Sequence, residues 1–534
     1  MAALPDEVGA IPSLLLTAFA GRQAPPELLA RLSDRPPAGV TLFRQHNVDS
    51  AAQVRALTSS LQATMAPGAG PLLIAADQEG GQLIGLGDET TPFAGAMALG
   101  AATDADLAER VARATGRELR ALGVNVNYAP VCDLATNPAN PALGMRSFGD
   151  DPAAVGELVA ATVGGLQAEG VAATAKHFPG AGEAAADPHH ELPVVERSRE
   201  ELLARELVPF RAAIDAGARL VMSGHLAVPA IDDDARPATL SRGVMTGLLR
   251  YELGFDGVAV SDALDMKALA QGSAQVGATI AAVRAGIGLL LGTVGGYAPD
   301  HIEAGLREAV LRGEISAELV AAAATRLGAL RAWLPGFADP PLDVVGCAEH
   351  RALAAQLAAR SITLVRDDAG LLPLRLPAGA RLAVVMPQPA DLTPADTSST
   401  VAPGLAEAIG RHHPVAEAIV TSPSPSTAEI AAARERVAGA DLLVLGTISA
   451  SLDPAQAELA RVLLAAGVPT ITVALRTPWD LLLYPESRTH LCTYGILPPT
   501  TDALAAALFG EAPIGGRLPV ELAGLYPRGH GLAR

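Results

Sequence analysis

The chain has 534 residues, with 39 Lys+Arg against 57 Asp+Glu and a formal charge of −18. Only two of its cations are lysines, Lys176 and Lys267, and this acidic, lysine-poor balance excludes the basic footprint that nucleic acid or an anionic membrane surface requires. Half the residues are hydrophobic and 18% are charged, which excludes a disordered chain and provides for a large core.

The chain opens MAALPDEVGAIPSLLLTAFAGR, a short apolar run with no basic segment before it, and reads as globular sequence rather than a secretory leader. No apolar run reaches the ~20 residues that a bilayer-spanning helix needs. Cys132, Cys347 and Cys492 are far apart, odd in number and outside any CxxC, so neither a disulfide framework nor a thiol–zinc site is expected. These features predict a cytoplasmic protein without membrane or nucleic-acid partners, acting as a monomer or homodimer.

From residue 13 onward, apolar bursts at 13–19, 40–43, 71–77, 124–130, 171–178, 220–226, 258–264 and 287–292 alternate with segments of helical spacing. The helical segments include 50–65, 104–122, 153–169, 198–216, 241–252 and 274–285. Continuous apolar strands alternating with helices mean a parallel sheet covered on both faces. Eight such strands match a (β/α)8 barrel, with an open doubly wound sheet as the competing architecture. A Pro/Gly-rich stretch, LPGFADPPL at 334–342, then marks a linker. After a helix at 348–359 a second series follows, with strands at 361–365, 381–386, 415–421, 441–447, 469–475 and 489–495 and a low-complexity loop, SPSPST, at 422–427. The expected architecture is α/β: a TIM-like barrel domain over 1–335, a linker over 336–347, and a smaller parallel α/β layer domain over 348–534.

Six polar residues, Asp77, Asn127, Lys176, His177, His225 and Asp262, fall at or just past the ends of barrel strands. In a barrel those ends converge on one mouth. Any one of them is explained equally well by a strand end meeting water; six together point to a pocket. The densest group is Lys176-His177-Phe178-Pro179-Gly180, which runs on to Asp187-Pro188-His189-His190. A carboxylate two residues before an imidazole on an extended loop can fix the ring tautomer and raise its pKa, making a general acid/base near neutrality. Taken alone, the stretch also fits a solvated His-rich loop. Metal binding by His177, His189 and His190 lacks a supporting spacing, and no metal is expected. At the end of the 258–264 burst Asp262 is placed to attack an electrophilic carbon, or to cap a helix; Asp265 and Lys267, a turn later, read as surface or capping groups. Asp77-Gln78-Glu79-Gly80-Gly81 puts a carboxylate and two glycines at a strand end, and Arg146 offers a planar fork for adjacent acceptors.

Together KHFPG–x6–D–x–H, SDALDMKA, DQEGG, NVNYAPVCDLATNP and RSFGDDP resemble glycoside hydrolase family 3, in its β-N-acetylhexosaminidase branch. SITLVRDDAGLLPL and GGRLPVEL resemble the opening and closing of that family's second domain. The resemblance implies Asp262 as nucleophile, His189 as acid/base with Asp187 as its partner, and Asp77, Arg146, Lys176 and His177 as sugar-holding groups. It implies a retaining glycosidase that releases terminal β-linked N-acetylhexosamine, for instance from cell-wall fragments, with a small carbohydrate as substrate and no cofactor. Two alternatives stand beside it: a β-N-acetylglucosaminide phosphorylase, since an imidazole does not repel phosphate as a carboxylate base does, and a non-catalytic sugar-binding protein. The sequence also departs from the family pattern. Gln82 and Gly85 stand where members usually carry two arginines, Ala181 where a His often follows KHFPG, and Pro188 where Ser is usual between the dyad residues.

Overall fold

A computed structural model describes residues 6–534 apart from 233, 235, 270 and 297. Eight strands form one parallel sheet: β1 (Leu15–Thr17), β2 (Gly39–Thr41), β3 (Leu73–Ala76), β4 (Val126–Asn127), β5 (Ala172–Phe178), β6 (Leu220–Ser223), β7 (Val258–Ser261) and β8 (Leu290–Leu291). They pair in chain order and β8 returns to pair with β1. Val260 and Leu289 bridge the remaining gap, and the Ser261 amide donates to the Leu289 carbonyl at 2.9 Å, closing a barrel.

Why the strands are apolar throughout is visible in their alternation. Leu16, Leu73, Ala75, Leu220, Met222, Val258, Val260, Leu289 and Leu291 belong to one buried cluster, inside the barrel. Leu15, Ile74, Ala76, Val221, Ala259 and Leu290 belong to another, which packs against the helices. Successive residues of a strand point to opposite faces, and here both faces are dry. Close approach also fixes one glycine: a Cβ on Gly39 would lie 2.2 Å from the Leu73 carbonyl oxygen.

The outer helices begin where the sequence supplies caps. Asp104 accepts from the Leu107 amide ahead of Ala105–Ala121, and Asp151 accepts from the Ala153 and Ala154 amides ahead of Pro152–Ala168; each such cap is worth ~1 kcal/mol. The two helices pack on each other, and Val111, Leu119, Val155 and Val159 are among their buried residues. The helix expected at 198–216 contains a wide turn, Leu202–Glu206, between Arg199–Glu201 and Leu207–Asp215.

After the helix Ala348–Ser361 comes a second sheet of six strands: β9 (Thr363–Asp367), β10 (Leu382–Pro387), β11 (Val415–Thr421), β12 (Leu442–Thr447), β13 (Thr470–Ala474) and β14 (Thr489–Cys492). Their order is β9-β14-β13-β12-β10-β11. One expectation is corrected: the sheet is mixed rather than parallel, because β9 runs antiparallel to β14. The first and last strands of the series are neighbours with no single crossover helix between them, so nothing forces them into the same direction. An apolar run reads alike in either direction. Among the described residues, no helix is long and apolar enough to cross a membrane.

Candidate active site

The C-terminal ends of the barrel strands open into a cavity of about 990 Å³. Asp77, Arg146, Lys176, His177, His189 and Asp262 all line it. Asp187 lies just behind the wall and reaches the cavity through its histidine.

Lys176 is delivered by β5 and is buried beneath the cavity floor. Its Nζ donates to Asp77 Oδ1 at 2.7 Å and pairs with Glu79 Oε1 at 2.6 Å. Arg146 ends a short helical turn, Gly144–Arg146. Its Nε and Nη2 donate to the two oxygens of Glu79, each at 2.8 Å, and Nη1 donates to the Ala142 carbonyl at 2.9 Å. The planar fork expected to face a ligand is thus engaged by Glu79. Side chains of Arg146 and Glu79 are each 6% exposed. Burial pushes the Glu79 carboxyl up, but Arg146 and Lys176 override it and hold the group at about 2. Lys176 keeps its proton firmly: burial opposes the charge, and Asp77 and Glu79 more than compensate. The site is therefore a compact network of two cations and two carboxylates, with Asp77 its more exposed member at 27%.

Two Asp–His pairs flank this network. His177, also from β5, holds Asp133 Oδ2 through Nδ1 at 2.7 Å. Asp133 further accepts from the backbone amides of His177 and Ala181, at 3.2 and 2.7 Å. A carboxylate only accepts, so Nδ1 carries the proton and Nε2 is the nitrogen left for the cavity. His189, on the loop after β5, pairs through Nδ1 with Asp187 Oδ1 at 2.7 Å, and its own amide donates to the same oxygen at 2.9 Å. Burial disfavours the His189 cation, but the hydrogen bond and charge of Asp187, helped by Asp262, raise its pKa above the ordinary value. For Asp187, burial raises the pKa and the bonds from His189 lower it further than burial lifts it.

Asp262 follows β7. Its Oδ1 accepts from the Ala263 amide at 2.8 Å. Burial works against the carboxylate, yet His225, His177, this amide and His189 outweigh it and keep the group ionised. The dyad loop is tied to the same strand end, because the Ala268 amide donates to the Pro188 carbonyl at 3.2 Å. The residue between the dyad members thus fastens their loop to the segment that carries Asp262.

The other strand-end groups divide. Asn127 spends its amide on the backbone of Gln78, with both bonds at 3.0 Å, and staples β4 to the segment after β3. His225 Nδ1 lies 2.7 Å from Thr239 Oγ1, its Nε2 donates to the Ala263 carbonyl at 2.9 Å, and burial lowers its pKa; its ring walls the cavity beside Asp262. Asp265 accepts from the Thr293 amide at 3.1 Å and joins the β7 and β8 loops. Lys267 is exposed at the cavity rim.

Sequence reasoning singled out neither Glu79 nor Asp133 as partners, although both lie inside the quoted motifs. It also did not place the segment 391–400 of the second sheet region, which covers part of the cavity. That segment is fastened to the barrel by the Thr397 amide, which donates to the Gln82 carbonyl at 2.7 Å, and from within by an ion pair between Asp396 and the buried Arg476. Gln82 therefore anchors the cover. At Gly85 a Cβ would lie 2.5 Å from the Asp77 carbonyl oxygen, so this backbone admits no arginine there.

Comparison with known proteins gives these residues a family. Residues 15–330 match the glycosyl hydrolase family 3 N terminal domain. The chain is 34% identical over 522 residues to a beta-N-acetylglucosaminidase/beta-glucosidase of Cellulomonas fimi, covering 90% of this chain and 88% of that protein. It is 37% identical over 377 residues to beta-hexosaminidase A of Pseudoalteromonas piscicida, a match that spans 66% of this chain and 63% of that relative. Among solved structures, the family 3 beta-N-acetylglucosaminidase from Paenibacillus sp. str. FPU-7 superposes with a TM-score of 0.90 at 35% identity, covering 97% of this chain and 99% of that one. With its barrel, its ordered motifs and these relatives, the chain belongs to glycosyl hydrolase family 3.

Proposed function

We propose that this protein is a retaining β-glycosidase that releases terminal β-linked N-acetylhexosamine by double displacement. The observation that carries the reading is the pairing of an ionised Asp262 with a His189 whose Nδ1 is held by Asp187, which leaves Nε2 to carry the proton that is transferred, in one cavity. Asp262 attacks the anomeric carbon, and the glycosidic bond breaks as His189 delivers its proton to the departing oxygen. Asp187 balances the imidazolium. His189, now neutral, takes a proton from water as the water attacks the glycosyl-aspartate, which frees the sugar and restores both groups. Meanwhile Asp77 and His177 Nε2 offer acceptors to sugar hydroxyls, while Lys176 and Arg146, paired with carboxylates, supply their remaining N–H donors. No cofactor enters this scheme. The N-acetylhexosamine preference rests on the similarity to beta-hexosaminidase and beta-N-acetylglucosaminidase relatives, and a cytoplasmic role on cell-wall fragments rests on the motif resemblance alone. The segment 391–400 contains no glutamate; its Asp391 accepts from the Ser399 amide and hydroxyl, each at 2.7 Å, and its Asp396 is engaged by Arg476 and by two backbone amides. This supports an acid supplied by the barrel loop.

A panel of aryl β-glycosides tests the reading. Release from the N-acetylglucosaminide should exceed release from the glucoside. A clear preference for the glucoside would overturn the hexosaminidase assignment and leave the family untouched. Sugar 1-phosphate formed in phosphate buffer would instead identify a phosphorylase.

A further inference from the structure

Two carboxyl groups pack against the turn that presents His177. Asp133 takes the His177 ring and the His177 and Ala181 amides. The second is Glu206, which is 1% exposed and has no place in the mechanism above. It ends the wide helical turn Leu202–Glu206, where the Leu207 amide reaches back to the Leu202 carbonyl; such turns occur mostly as single interruptions of helices, often at functional sites. Gly180 closes the 177–180 turn, with its amide donating to the His177 carbonyl at 2.8 Å. A Cβ on Gly180, whose φ is +119°, would lie 3.0 Å from Glu206 Cβ and 3.4 Å from its Oε2. The carboxyl group therefore packs directly under this turn.

Both oxygens of Glu206 are buried and have no hydrogen-bond partner among the described residues. The charged groups facing it are Asp133 from the loop after β4, Glu183 from the dyad loop, Arg197 ahead of the helix and Arg205 within the same turn. Arg197 is already turned to Glu183 and Glu201. A buried carboxylate without donors is far costlier than a neutral acid. Burial first, and Asp133 next, accordingly push the Glu206 carboxyl up to about 7 against the pull of Arg197 and Arg205.

Building on the glycosidase reading above, we propose that Glu206 is a positioning residue: its neutral carboxyl supports the 177–181 turn, and its ionisation beside Asp133 loosens that turn together with His177 and the dyad loop. Glu206 does not line the cavity, so it acts through the backbone and not on the substrate. Activity then has an alkaline limit that is separate from the loss of the His189 proton.

The full chain is assayed with a 2,4-dinitrophenyl N-acetyl-β-glucosaminide, whose leaving group needs no proton, so that deprotonation of His189 does not limit kcat/KM. The wild type is expected to lose about tenfold in kcat/KM per pH unit above about 7. Glu206→Gln and Glu206→Leu, which cannot ionise, are expected to keep their activity through that range. A wild-type decline retained unchanged in both variants overturns the proposal. Hydrogen exchange of the amides over 177–190 in the wild type gives a readout independent of turnover and of variant folding. Protection lost through about pH 7, beyond the intrinsic rise in exchange rate, supports the proposal, and unchanged protection overturns it. Absence of any wild-type turnover at acid pH would count against the glycosidase reading, and the exchange experiment alone would then decide the role of Glu206.

Discussion

His177–Asp133 and His189–Asp187 are two Asp–His pairs at the same 2.7 Å Nδ1 to carboxylate distance, set in one cavity, yet built on opposite principles. The first hangs on a barrel strand. Its histidine is 15% exposed and its carboxylate 0%, and that carboxylate also anchors the backbone of the following turn. The second sits on a loop, with its histidine 27% exposed and its carboxylate, among the described residues, bonded to the ring and amide of the histidine itself and no other group. The bond is therefore not what assigns the task. A pair whose acid is part of the scaffold cannot change protonation state without disturbing the strand end, which suits a group that holds a sugar. A pair whose acid serves the ring alone can cycle a proton and return.

The largest effect expected concerns neither pair. Asp262→Asn should lower kcat by roughly 10⁴-fold or more, as loss of a covalent nucleophile does, and near-normal turnover would remove the reaction for which the pairs are being compared. Next, His189→Ala should cost about 10²–10⁴-fold on substrates with poor leaving groups and much less on activated ones. His177→Ala should cost about 10–100-fold through lost binding, whatever the leaving group. If both variants showed the same leaving-group dependence, the division of labour would fail. A finer cut comes from the partners. Because the folded-state pKa of His189 is raised, the dyad stabilises the fold fully below about 6.5, and that contribution fades as pH rises through the raised value. Asp187→Asn should therefore move the alkaline limb of kcat/KM to lower pH, with a loss of about tenfold near neutrality. Asp133→Asn should instead show itself in stability, lowering the unfolding free energy by about 1–3 kcal/mol, since one of the two oxygens that accept from buried N–H groups is lost. Calorimetry and pH profiles on the two variants separate these outcomes.

The barrel was legible in the sequence because strands buried on both faces are apolar without interruption, as Leu73-Ile74-Ala75-Ala76 and Val258-Ala259-Val260 show. The residues at their ends were legible for the same reason, since Asp77, His177 and Asp262 interrupt apolar runs. What stayed hidden depends on contacts between distant segments. Glu79 has no local mark that distinguishes it from a solvated acid, and only the arrival of Arg146 and Lys176 reveals its place. Asp133 becomes an anchor only when β4 and β5 lie side by side. Gln82 reads as a lost arginine until the Thr397 amide is found on its carbonyl. The direction of β9 was equally silent, because hydropathy carries no polarity.

The covalent link between Asp262 and the sugar is exposed most directly in the His189→Ala protein. With an activated aryl N-acetyl-β-glucosaminide, the first displacement needs no acid, whereas the second lacks its base, so the intermediate should accumulate. Mass spectrometry of quenched, digested enzyme should then show one added N-acetylhexosaminyl group on the peptide carrying Asp262. Turnover without such an adduct, or an adduct on another residue, would contradict the account.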